Sequence, residues 1–293
     1  MTARKDLERT PLRIQAWRLL RLVCHMLRVW LHATWPAANV PEAHRQRLIQ
    51  QWSAQLLTIL NVRLVYSGCI PRVGQPLLFV ANHISWLDIQ ALGSVSGARF
   101  VAKQEVRDWP LVGKTAAHSG SFFLKRGSCR AAWRMKNRVA EALRGGDSVA
   151  VFPEGTTTDG SRVNAFYPAL LQAAVDAGVA VCPVTLRYQS TNRTGSDAVA
   201  FLGEMTFAES LRRVLREPLV AVEVNFGAPI SSRNRSRREL ATLAQLAITQ
   251  TLAYSSPDAL LNAIRTAQPA ANARRRPSIR DGALPTAQAP AAA

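Results

Sequence analysis

The sequence predicts an α/β fold with a largely parallel central sheet that is covered by helices. Short apolar runs alternate along the chain with longer stretches of helical periodicity, and this alternation is typical of β–α–β units. Glycines follow two of the helical stretches, at Gly145 and Gly178, where a helix should end. The chain of 293 residues is long enough for one such domain with additional segments at its ends.

The predicted elements follow one another in a regular order. Two helices, over about 12–35 and 41–60, precede the sheet. The strands are predicted at 62–66, 77–80, 99–102, 122–124, 148–152, 179–186 and 220–226, and the later helices at 88–95, 131–144, 170–177 and 238–251. From about residue 267 onward the chain lacks apolar periodicity, so we expect a disordered tail. The predicted division is 1–60 for the N-terminal helices, 61–266 for the α/β domain and 267–293 for the tail.

The first predicted helix carries a narrow polar stripe on a largely apolar surface. A membrane span needs about 18 or more apolar residues with few charges, and Arg18, Arg21 and Arg28 interrupt any such run. The pattern favours a helix that lies in the plane of the membrane interface, with arginines towards the headgroups and tryptophans at the boundary. A helix that packs on the core of the domain is the alternative interpretation.

The charge of the chain indicates an anionic partner. Its 37 Lys and Arg against 19 Asp and Glu give a net charge of +18, which favours a membrane surface or nucleic acid. No nucleic-acid-binding motif is present, so we expect an anionic membrane surface and no nucleic acid. The four cysteines are widely spaced and the five histidines are not clustered, so we predict no metal site and no disulfide framework. No cleavable signal peptide is evident, and we expect a cytosol-facing protein.

The segment ANHISWLD, at 81–88, is the first candidate for chemistry. His83 follows a buried strand, and open α/β sheets place their chemistry at the carboxyl ends of strands. Asp88 comes five residues later and, across a turn, its carboxylate can hold one imidazole nitrogen while the other takes a proton. A histidine that caps a helix, with Asp88 as a surface charge, is the structural alternative.

Three further segments follow apolar strands in the same way. The segment GSFFLKR ends at Arg126, FPEGT contains Glu154, Gly155 and Thr156, and VCPV is an apolar strand with a proline. In their order and spacing, the four segments within about 75–229 resemble the four sequence blocks of the glycerolipid acyltransferase family. The best-known members of this family are the bacterial 1-acylglycerol-3-phosphate acyltransferases.

The resemblance implies a membrane-associated enzyme that moves a fatty acyl group to the hydroxyl of a lysophospholipid, here 1-acylglycerol-3-phosphate, to give phosphatidic acid. The donor would be a thioester of coenzyme A or acyl carrier protein, a co-substrate rather than a cofactor. It also implies that His83 is the base, that Asp88 orients it, and that Arg126 and residues 154–156 bind the acceptor's polar head. We further expect Lys103, at another strand end, to contact donor phosphates. Backbone N–H groups near residue 155 or in the His83 loop would stabilise the oxyanion.

Several alternatives stay open at this point. Members of the family that act on lysophosphatidic acid usually have an arginine directly after Glu-Gly-Thr, but this chain has Thr157, and Arg162 follows five residues later. The variant with Asp159 and Gly160 is similar to lyso-ornithine-lipid acyltransferases, so that lipid is the alternative acceptor. A basic membrane-binding protein without enzymatic activity is the non-enzyme alternative.

The expected location follows from the chemistry of the substrates. Because both substrates carry long acyl chains, the site should lie against a bilayer. We expect a peripheral or monotopic protein on the cytoplasmic face of the bacterial inner membrane.

Overall fold

The computed structural model describes residues 9–34, 42–71, 74–109, 111–125, 127–191, 196–254 and 260. The predicted tail at 267–293 and the predicted site residue Arg126 lie outside these ranges.

A seven-stranded mixed sheet forms the centre of the described structure. Its strands lie in the order β1-β7-β6-β2-β5-β3-β4, and every neighbouring pair is parallel except β6 and β7. The strands are β1 (Val62–Gly68), β2 (Leu78–Ala81), β3 (Arg99–Lys103), β4 (Phe122–Leu124), β5 (Val149–Val151), β6 (Val181–Ser190) and β7 (Val220–Phe226). The predicted α/β fold with a largely parallel sheet is confirmed.

Helices cover both faces of this sheet. They are α1 (Leu12–Thr34), α2 (Glu42–Ile59), α3 (Leu87–Ser96), α4 (Val112–His118), α5 (Cys129–Arg144), α6 (Gln172–Ala177), α7 (Phe207–Arg216) and α8 (Arg237–Tyr254), with a short 3-10 helix at Gln104–Asp108. The 3-10 helix, α4 and α7 were not predicted. A sequence signal for α7 exists, because Thr206 and Glu209 form a reciprocal capping box at its start.

Two apolar cores lie on opposite faces of the sheet. Helices α1, α2, α3 and α7 contribute to one core, and α5, α6 and α8 contribute to the other. Strand β2 serves both, since Phe79 and Ala81 point into the first core while Leu78 and Val80 point into the second. Helices α1 and α2 contribute to the same apolar core as the sheet. The segments on the two sides of the predicted boundary at residue 60 are therefore packed together.

Helix α1 packs one narrow side on the protein and exposes most of its apolar side chains. Leu22, His25 and Val29 are buried, and Arg18 donates hydrogen bonds to the backbone oxygens of Glu217 (3.0 Å) and Pro218 (3.3 Å). The expectation that this arginine faces lipid headgroups is therefore wrong. The exposed large apolar side chains on the remaining surface of α1 are those of Leu12, Ile14, Trp17, Leu19, Leu20, Val23, Leu27 and Leu31. No helix in the described ranges is both long and apolar enough to cross a bilayer.

Candidate active site

The loop that follows β2 is fixed at its first residue by a buried amide. The Asn82 side chain is fully buried, donates a hydrogen bond to the backbone oxygen of Leu186 (3.0 Å), and accepts one from the backbone N–H of the same residue (2.8 Å). These two bonds tie the carboxyl end of β2 to the neighbouring strand β6. Asn82 belongs to the candidate segment at 81–88, but the sequence pattern predicts no role for this residue.

His83 and Asp88 form a hydrogen-bonded pair directly after this anchor. The His83 Nδ1 atom lies 2.7 Å from Asp88 Oδ2. Asp88 is fully buried in the first turn of α3, whereas the His83 side chain is 20% exposed. The imidazole therefore has one nitrogen fixed by a carboxylate and the other available to a substrate. Burial of the carboxylate rules out the alternative in which Asp88 is a surface charge.

Asp88 accepts hydrogen bonds from several donors besides the imidazole. The backbone N–H groups of Ile84 (2.7 Å) and Ser85 (3.0 Å) donate to Oδ2, and the Tyr188 hydroxyl donates to Oδ1 (2.7 Å). Tyr188 lies on β6, and burial together with the adjacent carboxylate raises the pKa of this phenol well above its ordinary value. Sequence reasoning missed this tyrosine, because a contact across 100 residues leaves no local signal.

An aromatic ring supports the imidazole from one side. The ring of Phe152 stacks on that of His83, with 4.1 Å between centroids and an angle of 15° between the planes. Phe152 follows β5, which neighbours β2 in the sheet. The stacking fixes the plane of the imidazole, which the hydrogen bond to Asp88 alone does not do.

Glu154 is a second buried carboxylate that holds the same loop. It is 3% exposed, and its two oxygens accept hydrogen bonds from the backbone N–H groups of His83 (2.8 Å) and Asn164 (2.8 Å). Burial raises the pKa of the Glu154 carboxyl, and these hydrogen bonds oppose that shift only in part. The predicted contact with the acceptor's head stays a prediction, and the observed contacts are those of a residue that positions the His83 loop.

The other described site residues, Lys103, Gly155 and Thr156, lie at the carboxyl ends of the parallel strands, where His83 also lies. Because β2, β5 and β3 are parallel neighbours, their carboxyl ends meet there, and Lys103 ends β3 with an exposed side chain. Thr156 is exposed beyond β5. Gly155, between it and Glu154, has a φ of +69°, a left-handed conformation that favours glycine. Arg126 comes two residues after the end of β4 in the sequence and lies outside the described residues.

The expected oxyanion donors have other partners in this structure. The backbone N–H groups of residues 83–85 donate to the two buried carboxylates, and the N–H of Gly155 donates to the backbone oxygen of Phe152 (3.1 Å). The prediction that amides near residue 155 or in the His83 loop stabilise the oxyanion stays a prediction, and these four amides have other partners in this structure. The amides of residues 83–85 hold the carboxylates in place. The described residues also contain no group of three or more His, Cys, Asp or Glu side chains that could hold a metal ion.

Comparisons with known proteins identify the family. The acyltransferase family model matches residues 60–187, which include His83, Asp88, Phe152 and Glu154. The lyso-ornithine lipid O-acyltransferase of Pseudomonas aeruginosa is 40% identical over 245 residues, 82% of this chain and 93% of that protein. The chain belongs to the glycerolipid acyltransferase family. A second member, the 1-acyl-sn-glycerol-3-phosphate acyltransferase of Neisseria meningitidis, is 34% identical over 214 residues, 71% of this chain and 82% of that protein.

A solved structure of the family shows the same fold. The 1-acyl-sn-glycerophosphate (LPA) acyltransferase from Thermotoga maritima matches with a TM-score of 0.62 and 22% identity, over 83% of this chain and 94% of that chain. The mixed sheet and the preceding helices described above are therefore an acyltransferase fold.

The contact between Tyr188 and Asp88 predicts a loss of stability on Tyr188→Phe. The substitution leaves Oδ1 of a buried carboxylate without its phenolic donor, which costs about 1–3 kcal/mol. We expect the free energy of unfolding, measured by denaturant titration in a fixed detergent, to fall by this amount. Tyr66→Phe, at a phenol that is 50% exposed, is the matched control and should change it by less than about 0.5 kcal/mol. Equal effects of the two substitutions would contradict the assigned contact.

Burial of Glu154 predicts a pH-dependent contribution to stability. Because its pKa is raised in the folded protein, the native state keeps a proton that the unfolded chain releases above pH of about 4.3. The wild-type free energy of unfolding should therefore fall, relative to that of Glu154→Gln, as pH rises from this value through the raised pKa. Unfolding midpoints of both proteins across this range measure the difference. If the difference in the free energy of unfolding between the two proteins stays constant with pH, burial does not raise the pKa of Glu154.

Proposed function

We propose that the protein transfers a fatty acyl group from a thioester to the hydroxyl of a lysolipid, with His83 as the general base. The observation that carries this proposal is the 2.7 Å hydrogen bond between a partly exposed imidazole and a fully buried carboxylate. This geometry fixes Nδ1 as the nitrogen bonded to Asp88 and leaves Nε2 to act on a substrate. The membership of the chain in an acyltransferase family supports the same reaction.

The proposed step needs a base because an alcohol does not ionise at neutral pH. Nε2 of His83 takes the hydroxyl proton while the hydroxyl oxygen attacks the thioester carbonyl. The new ester C–O bond forms, the C–S bond breaks, and the proton passes from the imidazole to the departing thiolate. The Asp88 carboxylate stabilises the transient imidazolium through its hydrogen bond to Nδ1. General-base catalysis of this kind is worth about 10²–10⁴-fold in rate, and an already activated thioester needs no covalent acyl-enzyme.

The remaining predicted site residues are assigned to the substrates. Exposed Lys103 suits the phosphates of a thioester donor, and the exposed Thr156 hydroxyl, next to Gly155, suits the acceptor's polar head. Arg126 suits an anionic group, because its guanidinium binds in a bidentate manner. Glu154 positions the His83 loop through the backbone N–H of His83.

Helix α1 is proposed as the membrane contact. Its exposed apolar side chains face away from the core, and the chain carries a net charge of +18. A helix of this kind can lie in the interface of an anionic bilayer with its axis parallel to the surface. The expected location is therefore the cytoplasmic face of the inner membrane, as a peripheral or monotopic protein, and this placement also brings the site to its lipid substrates.

Two acceptors are candidates, and the residue at position 157 favours lyso-ornithine lipid over 1-acylglycerol-3-phosphate. The sequence predicts 1-acylglycerol-3-phosphate, and the Neisseria relative is named for it. At position 157, however, the Thr157 hydroxyl donates to the backbone oxygen of Phe201, so this position offers no cation to a phosphate. The Pseudomonas relative is named for lyso-ornithine lipid, whose amino-acid head contains no phosphate. We therefore favour lyso-ornithine lipid as the acceptor.

An assay of the purified full-length protein with both acceptors tests this proposal. Release of thiol from acyl-coenzyme A and from acyl carrier protein thioesters is measured with lyso-ornithine lipid or 1-acylglycerol-3-phosphate in mixed micelles. We expect turnover that is faster with lyso-ornithine lipid and that falls by at least about 10²-fold in His83→Ala.

The contradicting outcomes are distinct. Absence of turnover with either acceptor would reject lysolipid acyl transfer, and full activity of His83→Ala would reject the base. Faster turnover with 1-acylglycerol-3-phosphate would reject only the favoured acceptor.

A further inference from the structure

The outer face of α5 exposes a tryptophan among arginines. We use the name α5 outer face for Arg130, Trp133, Arg134 and Arg138. All three arginines are exposed, and Trp133 is 61% exposed. Opposite to them, Met135, Val139, Ala140 and Leu143 are buried in the core. The face is therefore the solvent side of a helix whose other side is firmly packed.

The three arginines of this face form no ion pair within the described structure, and the nearest acidic residue along α5 is exposed Glu141, three residues after Arg138. The first ten residues of α5 contain no Asp or Glu, and the fourth basic side chain among them, Lys136, pairs with Asp176. None of the described carboxylates lies within ion-pair distance of the three arginines of the face. Arginine stays charged at every physiological pH. The face therefore presents three permanent positive charges that would attract an anionic partner.

The face begins at the same end of the sheet strands as the candidate active site, three strands along from β2. Strand β4 ends at Leu124, at the same edge of the sheet as His83, and α5 starts five residues later at Cys129. Ser128 caps the helix by accepting a hydrogen bond from the backbone N–H of Ala131 (3.2 Å). The first turns of α5, which carry Arg130 and Arg134, therefore lie nearest to this edge.

The position of α5 argues against a bilayer as the partner of this face. Helix α1, with its exposed apolar side chains, packs on one face of the sheet, whereas α5 packs on the other. A flat bilayer that contacts the outer side of α1 cannot at the same time contact the outer side of α5. A soluble partner can reach this face while the protein lies on the membrane.

We propose that the α5 outer face binds an acidic carrier protein that delivers the acyl thioester to His83. This inference rests on the proposed function and names its donor. Arginine and tryptophan are the side chains that most often dominate the energy of protein interfaces. From Arg130 to Arg138 the face extends about 12 Å, a length that the surface of a folded protein can cover. Complementary charge would orient the carrier, so that its acyl group reaches the adjacent edge of the sheet.

A charge-reversal pair with a matched control tests this inference. The test variant is Arg130→Glu with Arg134→Glu, and the control is Arg237→Glu with Arg238→Glu. The control arginines are exposed at the start of α8, which packs on the same face of the sheet as α5. The chain enters α8 from Ile230, which forms a β-bridge with Val181, the first residue of β6. The control site therefore lies at the end of the sheet opposite to His83. Both variants make the same change in net charge.

Two measurements are made on each protein. The Kd for acyl carrier protein is measured by fluorescence anisotropy, and kcat/KM is measured with acyl carrier protein and acyl-coenzyme A thioesters. In the test variant we expect the Kd to rise and kcat/KM with the carrier-bound donor to fall, each by at least about 10-fold. We expect kcat/KM with acyl-coenzyme A, and all values of the control variant, to stay unchanged.

Several results would overturn the inference. These are no binding of the carrier by the wild-type protein, an equal loss with both donors, an equal loss in the control variant, or reduced binding of the test variant to phosphatidylglycerol vesicles. The failure of the proposed function looks different, because the wild-type protein would then turn over neither donor. Turnover of acyl-coenzyme A without carrier binding would reject the docking face and leave the proposed function intact.

Discussion

The buried carboxylate of Asp88 is the constraint on which the site depends. A carboxylate that is removed from water is stable only when its oxygens have hydrogen-bond donors. Here the donors are the imidazole of His83, two backbone N–H groups of the intervening loop, and a phenol from β6. Three of these donors lie within five residues of Asp88, so the loop folds around the carboxylate. The orientation of the imidazole is a consequence of that folding.

Glu154 extends this arrangement to the neighbouring strand. Its carboxylate accepts hydrogen bonds from the backbone of His83 and of Asn164, and the N–H of Thr158 donates to the backbone oxygen of His83 (2.8 Å). The segment 154–164 is therefore bonded to the same loop that Asp88 organises. Both buried carboxylates serve one purpose, which is to keep the His83 ring at the edge of the sheet where substrates can reach it. Outside the site, the helices on the two faces of the sheet differ. The outer side of α1 is apolar, and the outer side of α5 is cationic.

Much of the fold was predictable from the sequence because its signals are local. Strands β2 and β5 are short apolar runs that are buried on both faces, and Gly145 and Gly178 end helices where expected. The pairing of His83 with Asp88 was also predictable, since five residues across a turn bring the two side chains together. Local signals failed for α4, which has only seven residues. The antiparallel pairing of β6 with β7 was not predicted either.

Features that depend on contacts between distant parts of the chain could not be predicted from the sequence. Tyr188 and Asn82 act through partners about a hundred residues away, so no spacing identifies them. The direction of Arg18 depends on the position of the segment after α7, which accepts its hydrogen bonds. The partners of the amides near His83 were not predicted either, because the sequence does not show that buried carboxylates bind them.

A double-mutant cycle on kcat/KM tests most directly whether His83 and Asp88 act as one unit. The cycle compares the wild-type protein, His83→Ala, Asp88→Asn and the double variant, with retained folding checked by circular dichroism. If Asp88 acts only through the imidazole, each single substitution lowers kcat/KM by at least about 10²-fold and the double variant is no slower than His83→Ala. Losses that multiply in the double variant, or full activity of Asp88→Asn, would contradict the account.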